Sequence, residues 1–182
     1  MPTERSSSLE PEYVVLGLLL QRAGHGYDLD RRLQSEFRSL WHIPQNQLYG
    51  ILKRLERRGD IVGQEHSSAA GRMRRHYRVA GQGRARFRRW LEQPTPPSVR
   101  ALRVAFLTRV SLAMRDDRDA AVRIFETQRK ALQTGVGRLK ETQAASSERG
   151  ELERLSLDLR IRQLETALAW MEDARIKLGL QT

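Results

Sequence analysis

Cysteine is absent, which excludes disulfides, thiolate metal sites and cysteine nucleophiles and fits a reducing compartment. Long apolar runs are missing as well. The longest, Tyr13 to Leu20, has eight residues, whereas a bilayer crossing takes about 20, so no membrane span is expected. Glu4, Glu10 and Glu12 stand where a secretory leader would carry a basic segment and a longer apolar stretch, and a cytoplasmic location is expected. Histidine is sparse, and His25, His42, His66 and His76 show no metal-ligand spacing. Gly81-Gln82-Gly83 lacks the further glycine of a phosphate loop, and Asp116, Asp117 and Asp119 read as a helix start, with Asp117 or Asp119 as the cap. Neither a metal, nor a cofactor, nor catalysis is expected.

Acidic residues are scarce where basic ones crowd. The 182 residues hold 33 Lys+Arg against 22 Asp+Glu, a net charge of +11. Residues 53–89 contain twelve basic side chains and only three acidic ones, Glu56, Asp60 and Glu65, and so carry nine of those eleven charges. A genome-wide taste for arginine explains Arg over Lys but not the missing carboxylates.

Proline is rare, yet Pro94, Pro96 and Pro97 make up half of the six in the chain. They divide it into an N-terminal part, 1–93, a proline-rich joint, 94–97, and a C-terminal part, 98–182. In the first part Pro11 opens an apolar helix over Val14 to Leu20 that ends before Gly24. A second helix follows the His25-Gly26-Tyr27 turn, with Leu29, Leu33 and Phe37 on one face. Pro44 opens a third, with Leu48, Ile51, Leu52 and Leu55 at helical spacing and Gly59 as its stop. Ile61 to His66 and Arg74 to Val79 read as two strands of a hairpin, and a fourth helix near 82–92 turns Phe87, Trp90 and Leu91 inward and four arginines outward.

The second part holds three helical patterns, near 98–114, 118–146 and 150–178. One seam runs through Val122, Phe125, Arg129, Leu132, Val136 and Leu139, and another through Leu157, Ile161, Leu164, Leu168 and Met171. Together with Leu102, Phe106 and Val110 they demand a partner: each other, or a second copy of the chain. The second seam is assigned to a homodimer interface. The fold class is therefore mostly α with a small β element, an N-terminal winged helix-turn-helix followed by a C-terminal three-helix dimerisation domain.

Three helices and a basic hairpin place the charge where such a fold meets double-stranded DNA. Opposite its leucines the third helix offers Gln45, Asn46, Gln47, Tyr49, Lys53 and Arg54: amides that bond adenine edges, and cations for guanine or phosphate. Gly50 on that face lets the helix lie close to a groove wall. The hairpin adds Arg72, Arg74 and Arg75, suited to a phosphate backbone or a narrow minor groove. The alternative is a dimeric winged-helix module that binds nucleic acid without sequence preference, on the nucleoid or on RNA, or that serves as a protein adaptor. The three amides favour base reading, since phosphate binding alone would be served by more Lys and Arg. Trp41, Trp90, Phe106 and Trp170 are the aromatic candidates for an effector pocket, against the plainer reading of such side chains as core.

His25-Gly26-Tyr27-Asp28-Leu29 resembles the helix-opening motif of PadR-type transcriptional regulators. Gln47-Leu48-Tyr49 with Leu52, Leu55 and Gly59 resembles their recognition helix, and Gly71 to Val79 their basic wing. The C-terminal helices with Leu168-Ala169-Trp170-Met171-Glu172 are similar to the longer subgroup of that family. The resemblance implies a nucleoid-associated homodimeric repressor that binds an inverted-repeat operator and is released by an apolar or phenolic small molecule. Its DNA contacts would fall on the helix and wing residues named above. Two positions depart from the pattern: Ala80 replaces a capping Thr, and Pro44 a small hydroxyl residue that would touch phosphate.

Overall fold

A computed structural model describes residues 10–67, 73–145 and 150–180, with the backbone alone at His66, Ser67 and Met73. The chain divides into two compact units, Met1–Leu91 and Glu92–Thr182. No helix among the described residues is long and apolar enough to cross a membrane.

In the N-terminal unit α1 (Pro11–Gln21) begins at a first-turn proline and is buried on all sides from Tyr13 to Leu19, so it forms the centre of the core. Helix α2 (Gly26–Phe37) and helix α3 (Gln45–Arg57) lie against it. They bury Leu29, Leu33 and Phe37, and Leu48, Ile51, Leu52 and Leu55, at the expected spacing. Pro44 occupies the N-cap of α3 without a side-chain bond. Gly59, at φ 74°, stops α3: its N–H bonds Glu56 O at 2.9 Å and the Asp60 N–H bonds Leu55 O at 2.9 Å, the paired closure that a left-handed residue allows.

Strands β2 (Ile61–Ser67) and β3 (Met73–Val79) form the expected antiparallel hairpin, with Gly63 opposite Tyr77 and Glu65 opposite Arg75. Gly24–His25, read as part of a turn, instead form a two-residue strand, β1, which pairs with β3 and gives the sheet order β1-β3-β2. Helix α4 (Gly81–Glu92) buries Phe87 and Trp90, and Trp90 stacks on Tyr13 at 4.8 Å. Only three of its four arginines face out. Arg86 turns inward to Asp60, a fully buried carboxylate, at 2.7 Å.

In the C-terminal unit α5 (Val99–Ala101), a π-helical turn (Leu102–Phe106) and α6 (Leu107–Asp116) run on without a break, capped by the Ser98 hydroxyl. Helix α7 (Arg118–Ala144) starts at Asp117, whose carboxylate accepts the Ala120 N–H at 2.9 Å, as the helix-start reading required. That backbone hydrogen bond holds the Asp117 carboxyl below its ordinary pKa. Helix α8 (Glu151–Lys177) returns along α7: Lys140 pairs with Glu165 at 2.7 Å, and Arg118 donates to the carbonyls of Leu178 and Gly179.

The α7 seam departs from expectation at three positions: Ala121, Ile124 and Gln128 are buried with Phe125, Leu132 and Val136, while Val122, Arg129 and Leu139 are only half-buried. Gln128, not Arg129, is buried there, and Arg129 sits at the edge with Glu126 at 2.7 Å. The Gln128 amide exchanges two hydrogen bonds with the Thr95 backbone, at 2.6 and 2.9 Å, and the buried Arg109 donates to the Thr95 hydroxyl. Thr95, within the proline segment, is thus fastened to Gln128 and Arg109 of the C-terminal unit.

Candidate nucleic-acid interface

The hydrophobic spacing of α3 fixes which of its side chains meet water. With Leu48, Ile51, Leu52 and Leu55 in the core, Gln45, Asn46, Gln47, Tyr49 and Lys53 are all exposed, as the amphipathic pattern requires. The Asn46 side-chain oxygen accepts the Gln47 N–H at 2.8 Å, one of the free donors of the first turn. A Cβ on Gly50 would meet nothing nearer than Arg54 at 3.6 Å, so no packing within the protomer calls for a glycine there.

Beside this face lies a cleft of about 490 Å³ lined by residues that include Gly26, Tyr27, Asp28, Tyr49, Arg74 and Arg75. It brings the start of α2, the outer face of α3 and the second wing strand around one space. Tyr27, exposed by 56%, belongs to this surface and was not among the expected contacts. Its place in the first turn of the helix preceding α3 was the available signal. On β3 the His25 ring meets His76 edge-on at 5.1 Å, and His25 Nδ1 lies 3.1 Å from Arg75 O.

Not every expected arginine is free to meet a ligand. Arg74 is exposed, and Arg72 lies outside the described residues. Arg54 instead reaches the Glu12 carboxylate at 3.3 Å, which Arg58 also approaches at 3.6 Å. Arg75 bonds Glu56 at 2.7 Å and lies 3.8 Å from Glu65, and the Glu56 hydrogen bond raises its pKa. Burial raises the pKa of the neighbouring Tyr77. Glu12 and Glu56 therefore shape this surface, although neither was read as functional.

The aromatic candidates separate between the units. Trp41 and Trp90 are buried in the N-terminal one. In the C-terminal one the fully buried Phe106 meets Phe125 edge-on at 4.9 Å and Trp170 at 6.4 Å, and Trp170 is exposed by 41%. The α8 seam also requires correction. Leu157, Ile161, Leu164 and Met171 are buried within the protomer and Leu168 is half-buried, because α7 already covers that side. The apolar row that α8 leaves to solvent is another: Leu152, Leu155 and Leu159, exposed by 83%, 59% and 57%. Among the described residues no three His, Asp or Glu side chains gather as a metal site.

Residues 15–89 match the family model of the transcriptional regulator PadR-like family. An uncharacterized protein of Lysinibacillus sphaericus is 25% identical over 72 residues, which span 40% of this chain and 66% of that protein. Bacillus subtilis PadR, solved in complex with operator DNA, is similar at 22% identity over 90% of this chain and 94% of that chain, with a TM-score of 0.45. A PadR-like transcriptional regulator of Bacillus cereus is similar at 21% identity over 93% of this chain and 98% of that chain, with a TM-score of 0.41.

Proposed function

We propose, on the premise that residues 15–89 are a PadR-like transcriptional-regulator domain, that this chain represses transcription by binding an inverted-repeat operator as a homodimer. The observation that carries the reading is the exposed face of α3, where three amides, a tyrosine and a lysine stand opposite a wholly buried leucine face. Such a helix fits the major groove, with Gln45, Asn46, Gln47 and Tyr49 at base edges and Lys53 on phosphate. The wing, through Arg72 and Arg74, follows the neighbouring backbone or minor groove. Arg54 reaches phosphate only by leaving Glu12. The site of action on this reading is the cytoplasmic nucleoid.

Homodimerisation is supported by the exposed leucine row of α8. A two-fold dimer would present its two recognition helices to half-sites about one DNA turn apart. An apolar or phenolic effector lodged beside Trp170 and Phe106 would act by changing that separation, and a differential affinity of about fivefold to 150-fold for the two states suffices.

The test is recovery of sheared genomic DNA by the purified chain at several salt concentrations, followed by sequencing. A few inverted-repeat sites that survive moderate salt are expected. Uniform recovery that vanishes with salt would leave only electrostatic attachment and overturn sequence-specific regulation.

A further inference from the structure

Glu56 stands in the last turn of α3, and its Oε1 accepts two hydrogen bonds from the wing: Arg75 from β3 at 2.7 Å and the Gly63 N–H from β2 at 3.1 Å. One carboxylate thus joins the recognition helix to both strands of the hairpin. The joint has a fitted shape. A Cβ on Gly63 would come within 2.5 Å of Arg75 Nε, 2.6 Å of Glu56 Oε1 and 3.1 Å of the Tyr77 ring, so only glycine leaves room for the two charged groups to meet across the strand.

Arg75 also lies beside Glu65, its cross-strand partner in the register. A phosphate drawn to this guanidinium would have to approach two carboxylates, and a guanidinium that moved to meet it would leave Glu56 behind. Arg74, one residue away on the opposite strand face, is exposed and pairs with no carboxylate among the described residues.

We infer that Glu56 and Arg75 form a clip that fixes the wing against the recognition helix, and that Arg75 is a positioning residue for DNA binding rather than a ligand of phosphate. The inference rests on the DNA-binding reading above and deepens it. The clip sets the distance between the side chains in the major groove and the wing arginines on the flanking backbone. Loss of it leaves the number of phosphate contacts unchanged and misplaces them.

The full-length chain, its charge-swapped variant E56R/R75E, the broken control R75E and the neutral pair E56Q/R75Q are titrated with a duplex that the wild type selects from a randomised pool, over a range of salt. R75E, which places three carboxylates together, is expected to bind about tenfold more weakly. The swap rebuilds the ion pair with inverted sense and is expected to restore affinity to within about threefold of wild type. The neutral pair conserves net charge without the ion pair and is expected to bind more weakly with an unchanged salt slope. A swap as weak as R75E, or a neutral pair whose salt slope falls by about one unit, makes Arg75 a phosphate ligand and overturns the clip. A wild type that selects no sequence removes the DNA reading and the role of the clip with it, whereas selection without rescue removes the clip alone.

Discussion

The Tyr49 ring rests on Gly26: a Cβ built on that glycine would lie 2.7 Å from Tyr49 Cε1. Gly26 opens α2 with no left-handed backbone, so it is required for space and not for conformational freedom. The His-Gly-Tyr motif thereby gains a physical reason, because it lets the start of α2 support an aromatic on the face of α3 proposed to meet DNA. Gly26→Ala is expected to keep the fold, since alanine suits a helix better than glycine, and to turn Tyr49 aside. Operator binding should weaken by about 1–2 kcal/mol. Anisotropy titration beside a thermal melt checks both; undiminished affinity would show that Tyr49 is not set for DNA by this contact.

Gly50 allows folding and binding to be pulled apart. Its missing Cβ meets only ordinary contact within the protomer, so Gly50→Ala should raise stability by up to about 1 kcal/mol through helix propensity. On the face proposed to enter the groove the added methyl would hold the helix away from the DNA. A variant that melts higher and binds more weakly is the expected result. Equal or tighter binding would mean that the helix does not approach a groove wall at residue 50.

Asp60 sits fully buried where α3 ends and β2 begins, 2.7 Å from Arg86 and 3.6 Å from Arg58. Asp60→Ala removes the buried carboxylate from the half-buried Arg86 guanidinium, which keeps its contact with the Tyr13 ring, and the cost should be about 1–3 kcal/mol of unfolding free energy. Urea denaturation measures it. A loss below about 0.5 kcal/mol, the size typical of surface substitutions, would place the ion pair among the dispensable ones.

Much of this was readable because it is local. The inward face of α3, the stop at Gly59 and the hairpin each follow from spacing within a few residues, and those elements came out where expected. What the pattern could not reveal depends on residues far apart in the chain. Two-residue β1 has no period and exists only by pairing with β3, some fifty positions on. Arg54 reads as a free cation until the fold brings Glu12 to it, and Arg75 until Glu56 arrives. Gln128 and Arg129 stand at adjacent positions, and only the Thr95 backbone, with polar groups to satisfy, decides that the amide goes in.

Helix α8 raises a sharper form of the same difficulty, because it carries two leucine rows and periodicity alone cannot say which one faces α7. The structure puts Ile161 in the protomer core and leaves Leu155 and Leu159 in water. The two rows should therefore respond oppositely. Ile161→Ala opens a cavity between α7 and α8 and should cost about 2–4 kcal/mol of protomer stability. Leu155→Glu removes nothing from the core, so helicity should persist while light scattering after gel filtration reports a monomer in place of a dimer. Because assembly and stability are linked, the wild type should melt higher as its concentration rises, and Leu155→Glu should lose that dependence. A variant that remains a dimer would move the interface away from this row, and with it the proposed spacing of the two recognition helices.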